Sequence, residues 1–254
     1  MGWTREGPIV YHDDMFPARI PVNFHVGCMG LPPASHDFVD SIPPMVTGGN
    51  IDNARIGVGT TMYYPVEVPG ALLSMGDAHA AQGDSELDGT GVETSITGKF
   101  RVTVIKKEDF TEDQTVQDFP LGETEEHWLV HGYTETNYLA TYADEPAAIY
   151  ANSALEPAVK NAYTQTRKFL MAKYGLTEAE TNTIITQGID FAVTQGCVTF
   201  VLLLYDVLDI KVSHIRLSFL QWWMEIGAFI RLSRKSFLKS ILAMEILLTP
   251  KPTL

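Results

Sequence analysis

Two hydrophobic rhythms divide the chain. From Ile20 to Tyr142 apolar residues alternate with polar ones, or run together briefly between glycines and prolines, as strands do. Ile20–Gly30 (IPVNFHVGCMG) alternates and ends on glycine. Pro8–His12, Ile56–Val68, Tyr63–Leu73, Ser95–Ile105, Glu126–Thr134 and Tyr138–Tyr142 read the same way. Helical periodicity arrives late. Ser153 and Glu156 have capping-box spacing ahead of a helix running to about Lys173. Leu155, Val159, Ala162, Tyr163, Thr166 and Leu170 mark one face of it, and Gly175 is placed to end it. Thr177 and Glu180 repeat the box for a second helix through about Val193. Strands first and helices last predict an α+β chain, mainly β, not an alternating α/β one.

Two stretches follow neither rhythm. Residues 31–53 carry Pro32, Pro33, Pro43, Pro44 and Gly48-Gly49-Asn50, and a loop of that length is often functional. Glu108–Glu126 is a polar connection. The segment Leu72–Glu93 (LLSMGDAHAAQGDSELDGTGVE) is more pointed. Asp77, Asp84, Glu86, Asp88 and Glu93, with Glu67 just upstream, crowd around His79 and four glycines between two predicted strands. Carboxylates buried at a sheet are costly without a partner, and a divalent cation would answer them. Asp77 and His79, two apart on a strand, share a face. Asp84 and Glu86 repeat that spacing beyond Gln82-Gly83, and a hairpin would bring the two pairs together. Oxygen donors with one imidazole suit Zn²⁺, Mn²⁺ or Ca²⁺. A solvated polar turn fits the same spacing.

Composition narrows the classes. A chain of 254 residues, 45% hydrophobic and 10% aromatic, can bury a real core in one large domain or two small ones. A net charge of −13 argues against nucleic-acid binding, which needs a basic face. Cys28 and Cys197 are too far apart in sequence for a metal-ligand motif, and two cysteines imply no disulfide framework. The opening MGWTREGPIV is no secretory signal, so a cytoplasmic setting is expected. The charge breaks at Gln195: only Asp206, Asp209, Glu225 and Glu245 of the 31 acidic residues lie beyond it. Residues 1–195 are therefore expected to be the domain and 196–254 a divergent, hydrophobic and basic helical tail. The apolar run Cys197–Tyr205 is too short to span a bilayer, which takes about 20 residues. Ser236–Leu248 reads as an amphipathic helix, and Arg231, Arg234, Lys235 and Lys239 cluster beside it. A membrane contact is the weakest use of this tail. A docked helix comes next, and an unstructured or misfolding tail is favoured.

Other polar candidates carry less. His25, in an apolar strand, reads as a core or supporting histidine. His127 and His131 read as a partly exposed strand pair. Cys28 lacks an evident activating set. His12, His36 and His214 are given no role. Glu93 either supports the acidic site or pairs with a lysine.

The runs VNFHVGCMG (Val22–Gly30), GGNID (Gly48–Asp52) and YPVEVPGALLSMGDAHAAQGDSELDGTGVE (Tyr64–Glu93) together resemble the acetamidase/formamidase family, in the expected order over most of Ile20–Gln195. GDAHAAQGDSE is the most specific piece, with Ser85 where relatives usually have glycine. The resemblance implies a β-sandwich-like core with a late helical pair. It implies a metal-dependent hydrolase of carbon–nitrogen bonds, other than peptide bonds, in short linear amides such as formamide or acetamide, releasing ammonia and a carboxylate. Asp77 and His79 would bind the metal, zinc before calcium or manganese. Glu86 would be a further ligand or the general base, and Asp52 and Asn50 would line the same site. Together with Asp84 from the spacing, the expected metal set is Asp77, His79, Asp52 and Asp84, and the expected catalytic pair is Glu86 and Asn50. A homo-oligomer is expected. Against the family, the chain begins close to the match and departs from it after Gln195, as a truncated or frame-altered relative would. The alternative expectation is therefore a catalytically inactive metal-binding or oligomerising remnant.

Overall fold

The structure, a computed structural model, describes residues 9–11, 18–35, 38–196, 201–205 and 240–249, with side chains described at 20–35 and 38–196. His12, His36, Cys197 and His214 lie outside the described residues.

Thirteen strands among these residues form three antiparallel sheets. Strands β1 (Ile9–Tyr11) and β2 (Ala18–Ile20) pair alone. A four-stranded sheet has the order β4-β3-β6-β7: Gly48–Asn50, His25–Gly30, Ser74–Ala81 and Val92–Glu93. A seven-stranded sheet has the order β11-β12-β10-β9-β5-β13-β8. Its members are Asp190–Gln195, Val201–Tyr205, Trp128–Gly132, Leu121–Glu123, Thr61–Val66, Ser240–Thr249 and Thr97–Ile105.

The two-residue period of β10 shows how the layers meet. Trp128 and Val130 pack with Phe169, Leu170, Ile184 and Ile185 of the helices. Leu129, between them, joins Val26, Met29, Met62 and Tyr64 in a core shared with the four-stranded sheet. Both faces of β10 are covered, so all five of its residues are buried. Each fully buried Leu or Phe in these clusters contributes about 1.5–3 kcal/mol of transfer free energy.

Short helices α1 (Glu112–Thr115), α2 (Tyr138–Thr141) and α3 (Ala148–Asn152) precede α4 (Leu155–Tyr174), which ends at Gly175, whose φ of 66° is the left-handed conformation expected there. Helix α5 (Glu178–Gly188) starts with the expected reciprocal cap: Thr177 N donates to Glu180 Oε2 at 2.8 Å and Glu180 N to Thr177 Oγ1 at 3.3 Å.

Several expectations are corrected. The first capping box is absent: α4 follows Ala154, and Ser153 Oγ donates to Ile149 O in the preceding turn of helix, Ala148–Asn152. The buried face of α4 is Ala158, Ala162, Gln165, Thr166, Phe169 and Leu170, which leaves Leu155, Val159 and Tyr163 exposed. Tyr138–Thr141 is a helical turn, capped by Asn137 Oδ1 accepting from Ala140 N. The second helix stops at Gly188, and Asp190–Gln195 turns back as a strand. The tail is not helical where it is described. Val201–Tyr205 pairs with β11 and β10, and Ser240–Thr249 pairs with β5 on one side and β8 on the other. Two available strand edges outweigh the local helical pattern of this segment, because ladder pairing satisfies the backbone of all three strands. Among the described residues no helix is long and apolar enough to cross a membrane.

Candidate metal and catalytic site

The site is assembled from four backbone segments around the β3–β6 pair. His25 stands opposite His79, Val26 opposite Ala78 and Cys28 opposite Gly76. Gly27 and Asp77 are skipped in that ladder because Asp77 adopts a φ of 54°. Gly27 lies under two carboxylates. A Cβ there would sit 2.4 Å from Asp52 Oδ1 and 2.5 Å from Asp77 Oδ2. Asp52 follows β4 with a φ of 46°, and Glu86 follows the turn at Gly83 with a φ of 42° after Ser85 at 80°. Three acidic residues thus hold the left-handed backbone that L residues avoid, at about 1–2 kcal/mol each. Strain of this kind, concentrated in one place, is a mark of functional sites.

These turns bring the carboxylates to one histidine. Asp52, His79 and Glu86, all buried, place ligand atoms within 4.8 Å of one another, as do Asp77, His79 and Glu93. Asp52 is 2% exposed and His79 1%. His79 Nε2 lies 3.0 Å from Asp77 Oδ1, and Asp52 Oδ2 accepts from Gln195 Nε2. Asp52 Oδ1 is buried with no hydrogen-bond partner. Burial, then the charges of Glu86 and Asp77, push the Asp52 carboxyl up to about 8. Burial also raises Glu86, against the attraction of His79. Such a set of charges stays ionised together only with a positive partner, and its hard oxygens with one imidazole fit a divalent cation.

Cys28 is half-buried and donates to Asn50 Oδ1 at 2.8 Å, with Asp77 Oδ2 3.6 Å away. Burial, then Asp52 and Asp77, push its thiol up to about 12, which keeps it protonated and unsuited to nucleophilic attack. His25 is buried against His79, ring centroids 4.9 Å apart, with Nδ1 2.7 Å from Asn23 O. Burial pulls its pKa down, opposed by its hydrogen bonds to Gln82 and Asn23.

The structure therefore brings together Asp52, Asp77, His79 and Glu86, with Asn50 joined through Cys28. Asp84 is not in the cluster. Arg55 grips it with Nη1 and Nη2 at 2.7 and 2.9 Å, and its side chain is 42% exposed. The consecutive left-handed residues after it turn Glu86 inward and leave Asp84 on the rim. Glu93 lies opposite His79 across β6 and β7 and accepts from Thr90 Oγ1. His131 is fully buried, not partly exposed as expected. Its Nδ1 is 2.7 Å from Pro120 O and its Nε2 is 3.2 Å from Asn53 Nδ2, beside Asp52. Sequence reasoning missed Gln82 and Gln195. Gln82 stands inside the GDAHAAQGDSE run, three residues past His79, and that position was its only signal. Gln195, 143 residues from Asp52, had none.

A family model described as the Acetamidase/Formamidase family matches residues 31–202. An acetamidase of Mycolicibacterium smegmatis is 42% identical over 57 residues, 22% of this chain and 14% of that protein. A formamidase of Methylophilus methylotrophus is 39% identical over 67 residues, 26% of this chain and 16% of that protein. Among solved structures, an acetamidase from Yersinia enterocolitica has a similar fold, with a TM-score of 0.58 and 24% identity, over 78% of this chain and 52% of that one. An acetamidase from Bacillus halodurans gives 0.57 and 22%, over 87% and 62%. The chain thus spans between half and two thirds of the structures it matches, and far less of the curated relatives aligns with it.

Proposed function

Because the chain belongs to the acetamidase/formamidase family, we propose that it hydrolyses the carbon–nitrogen bond of short linear amides such as formamide or acetamide, in the cytoplasm, releasing ammonia and a carboxylate. Asp52, Asp77 and His79 would hold a divalent cation, zinc first and calcium or manganese next, with Glu86 beside it. The observation that carries this reading is Asp52 Oδ1, a carboxylate oxygen buried without a partner among two further carboxylates. What the cation supplies there is Lewis acidity toward an amide carbonyl. Glu86, its pKa raised by burial, accepts a proton from the attacking water and returns it to the leaving amine. Asn50, whose Oδ1 is taken by the Cys28 thiol, offers its amide hydrogens to the developing oxyanion. Protonated Cys28 orients Asn50 and does not attack. Self-association belongs to the same proposal: Val102 and Val104 stand exposed on the edge strand β8.

The test is ammonia release from formamide and acetamide by the purified chain supplied with Zn²⁺, beside a His79→Ala protein and with metal content measured in both. Release that depends on His79 and on metal supports the proposal. A folded, metal-loaded chain that releases nothing would be an inactive metal-binding relative. A chain that takes up no metal would refute the cation site.

A further inference from the structure

Gln82 links His79, His25, the backbone of Asp52 and the end of β11. Its Nε2 donates to Asp52 O and, at 3.3 Å, to Thr194 O at the end of β11. Its Oε1 lies 2.8 Å from His79 Nδ1 and 3.0 Å from His25 Nε2. Backbone carbonyls only accept, so they settle which end of the carboxamide carries hydrogen, independently of the histidines. The oxygen is left facing His79 Nδ1 at the shorter of its two ring distances, and it too only accepts. With a cation on Nε2, the one hydrogen left on the His79 ring therefore sits on Nδ1 with an acceptor waiting for it. The Nδ1 side is also closed sterically: a Cβ on Gly91 would lie 2.8 Å from that nitrogen. Nε2, 3.0 Å from Asp77 Oδ1, is the atom that faces the carboxylates; that oxygen accepts a hydrogen from it when no cation is there, and a bound cation takes the hydrogen's place.

We propose that Gln82 is the positioning residue of this site, locking His79 as the Nδ1–H tautomer so that Nε2 alone can coordinate a cation. The Asp52–His79–Glu86 and Asp77–His79–Glu93 groups then compete for one nitrogen, and the site takes a single cation through His79. The inference rests on the cation-site reading above. In metal sites the group that orients a ligand histidine sets affinity almost as strongly as the ligands do.

The experiment uses the full chain with ¹⁵N-labelled histidine, the His79 signals identified by their loss in His79→Gln. At one equivalent of Zn²⁺ per chain, His79 is expected as the Nδ1–H form, with the metal shifting Nε2 alone. Gln82→Glu keeps an acceptor oxygen for the ring but loses both donated bonds; Gln82→Met loses both functions. Zinc affinity, from competition with a chromophoric chelator, should fall about 10–100-fold in Gln82→Met and stay within about threefold of wild type in Gln82→Glu. Coordination through Nδ1, or equal losses in both variants, overturns the proposal. Equal losses would mean that Gln82 only anchors the carbonyls. If the wild type binds no zinc, the cation reading fails and the proposal falls with it; zinc bound through Nδ1 overturns the proposal alone.

Discussion

Replacing Gly27 by alanine should empty the site while sparing the fold. The added methyl would meet Asp52 Oδ1 at 2.4 Å and Asp77 Oδ2 at 2.5 Å, where ordinary contact begins at 3.4 Å. Each oxygen must retreat by roughly 1 Å, whereas ligand distances tolerate only about 0.2 Å. Asp52 has little room to move, being buried and held by Gln195 and, through its carbonyl, by Gln82. Orienting groups alone are worth about 10–100-fold in metal affinity, so displacing two candidate ligands should cost at least about a hundredfold, near 2.7 kcal/mol. The fold is hit less. Gly27 has no positive φ, so alanine gains about 0.4–1 kcal/mol through the unfolded chain against about 1–3 kcal/mol for overpacking. Zinc competition and urea unfolding are measured on Gly27→Ala and on Gly76→Ala, whose added Cβ meets nothing within 4 Å. Wild-type zinc affinity in Gly27→Ala would refute the placement of Asp52 and Asp77 at the cation. A loss of stability as large as the loss of affinity would refute the claim that the change is local.

Asp84→Asn should leave zinc affinity within about twofold and stability within about 1 kcal/mol, since it breaks only a rim ion pair; a tenfold loss of affinity would return Asp84 to the ligand set. In the cation-free protein Asp52 titrates from 3.8 unfolded to about 8 folded, so the folded state holds the extra proton and stability falls as pH rises through that window. His131, held down to about 4 by burial, works the other way below 6.5, so melting is compared between pH 6.5 and 8. Wild type should lose stability there relative to Asp52→Asn, and saturating Zn²⁺ should reverse the trend; a wild type that gains on the variant across this window, without cation, contradicts the environment assigned to Asp52. His131→Phe strands Pro120 O and Asn53 Nδ2 in the interior and should cost about 1–3 kcal/mol in urea unfolding; a shift below about 0.5 kcal/mol would show those bonds to be dispensable.

The heart of the site was legible where it rests on local geometry. Asp77 and His79 were read from strand spacing, and they do meet, although Asp77 reaches its partner through a left-handed kink that spacing does not encode. Asp84 and Glu86 have the same spacing and go opposite ways, because φ at Ser85 and Glu86 is decided by the tertiary turn. The Thr177–Glu180 cap is a contact within one turn and formed as read. The Ser153–Glu156 pattern is identical and failed, since Ser153 found Ile149 O first. Tyr138–Thr141 is a four-residue, mostly apolar sequence of the kind that periodicity cannot assign to strand or helix. Gln82 and Gln195 act through partners 30 and 143 residues away, and no pattern along the chain carries that distance.

The place beside the last strand of the large sheet is filled by a strand that is made late. β13 separates β5 from β8, yet 134 residues lie between Ile105 and Ser240. At roughly 5–20 residues per second, a ribosome leaves β5 and β8 with unpaired edges for on the order of ten seconds. Such edges are templates for pairing with other chains, and closing so long a loop is slow once the strand does appear. The yield of correctly folded protein should therefore depend on translation speed and on chaperones that shelter open edges, and a fragment ending before Ser240 should aggregate through the slot that β13 fills.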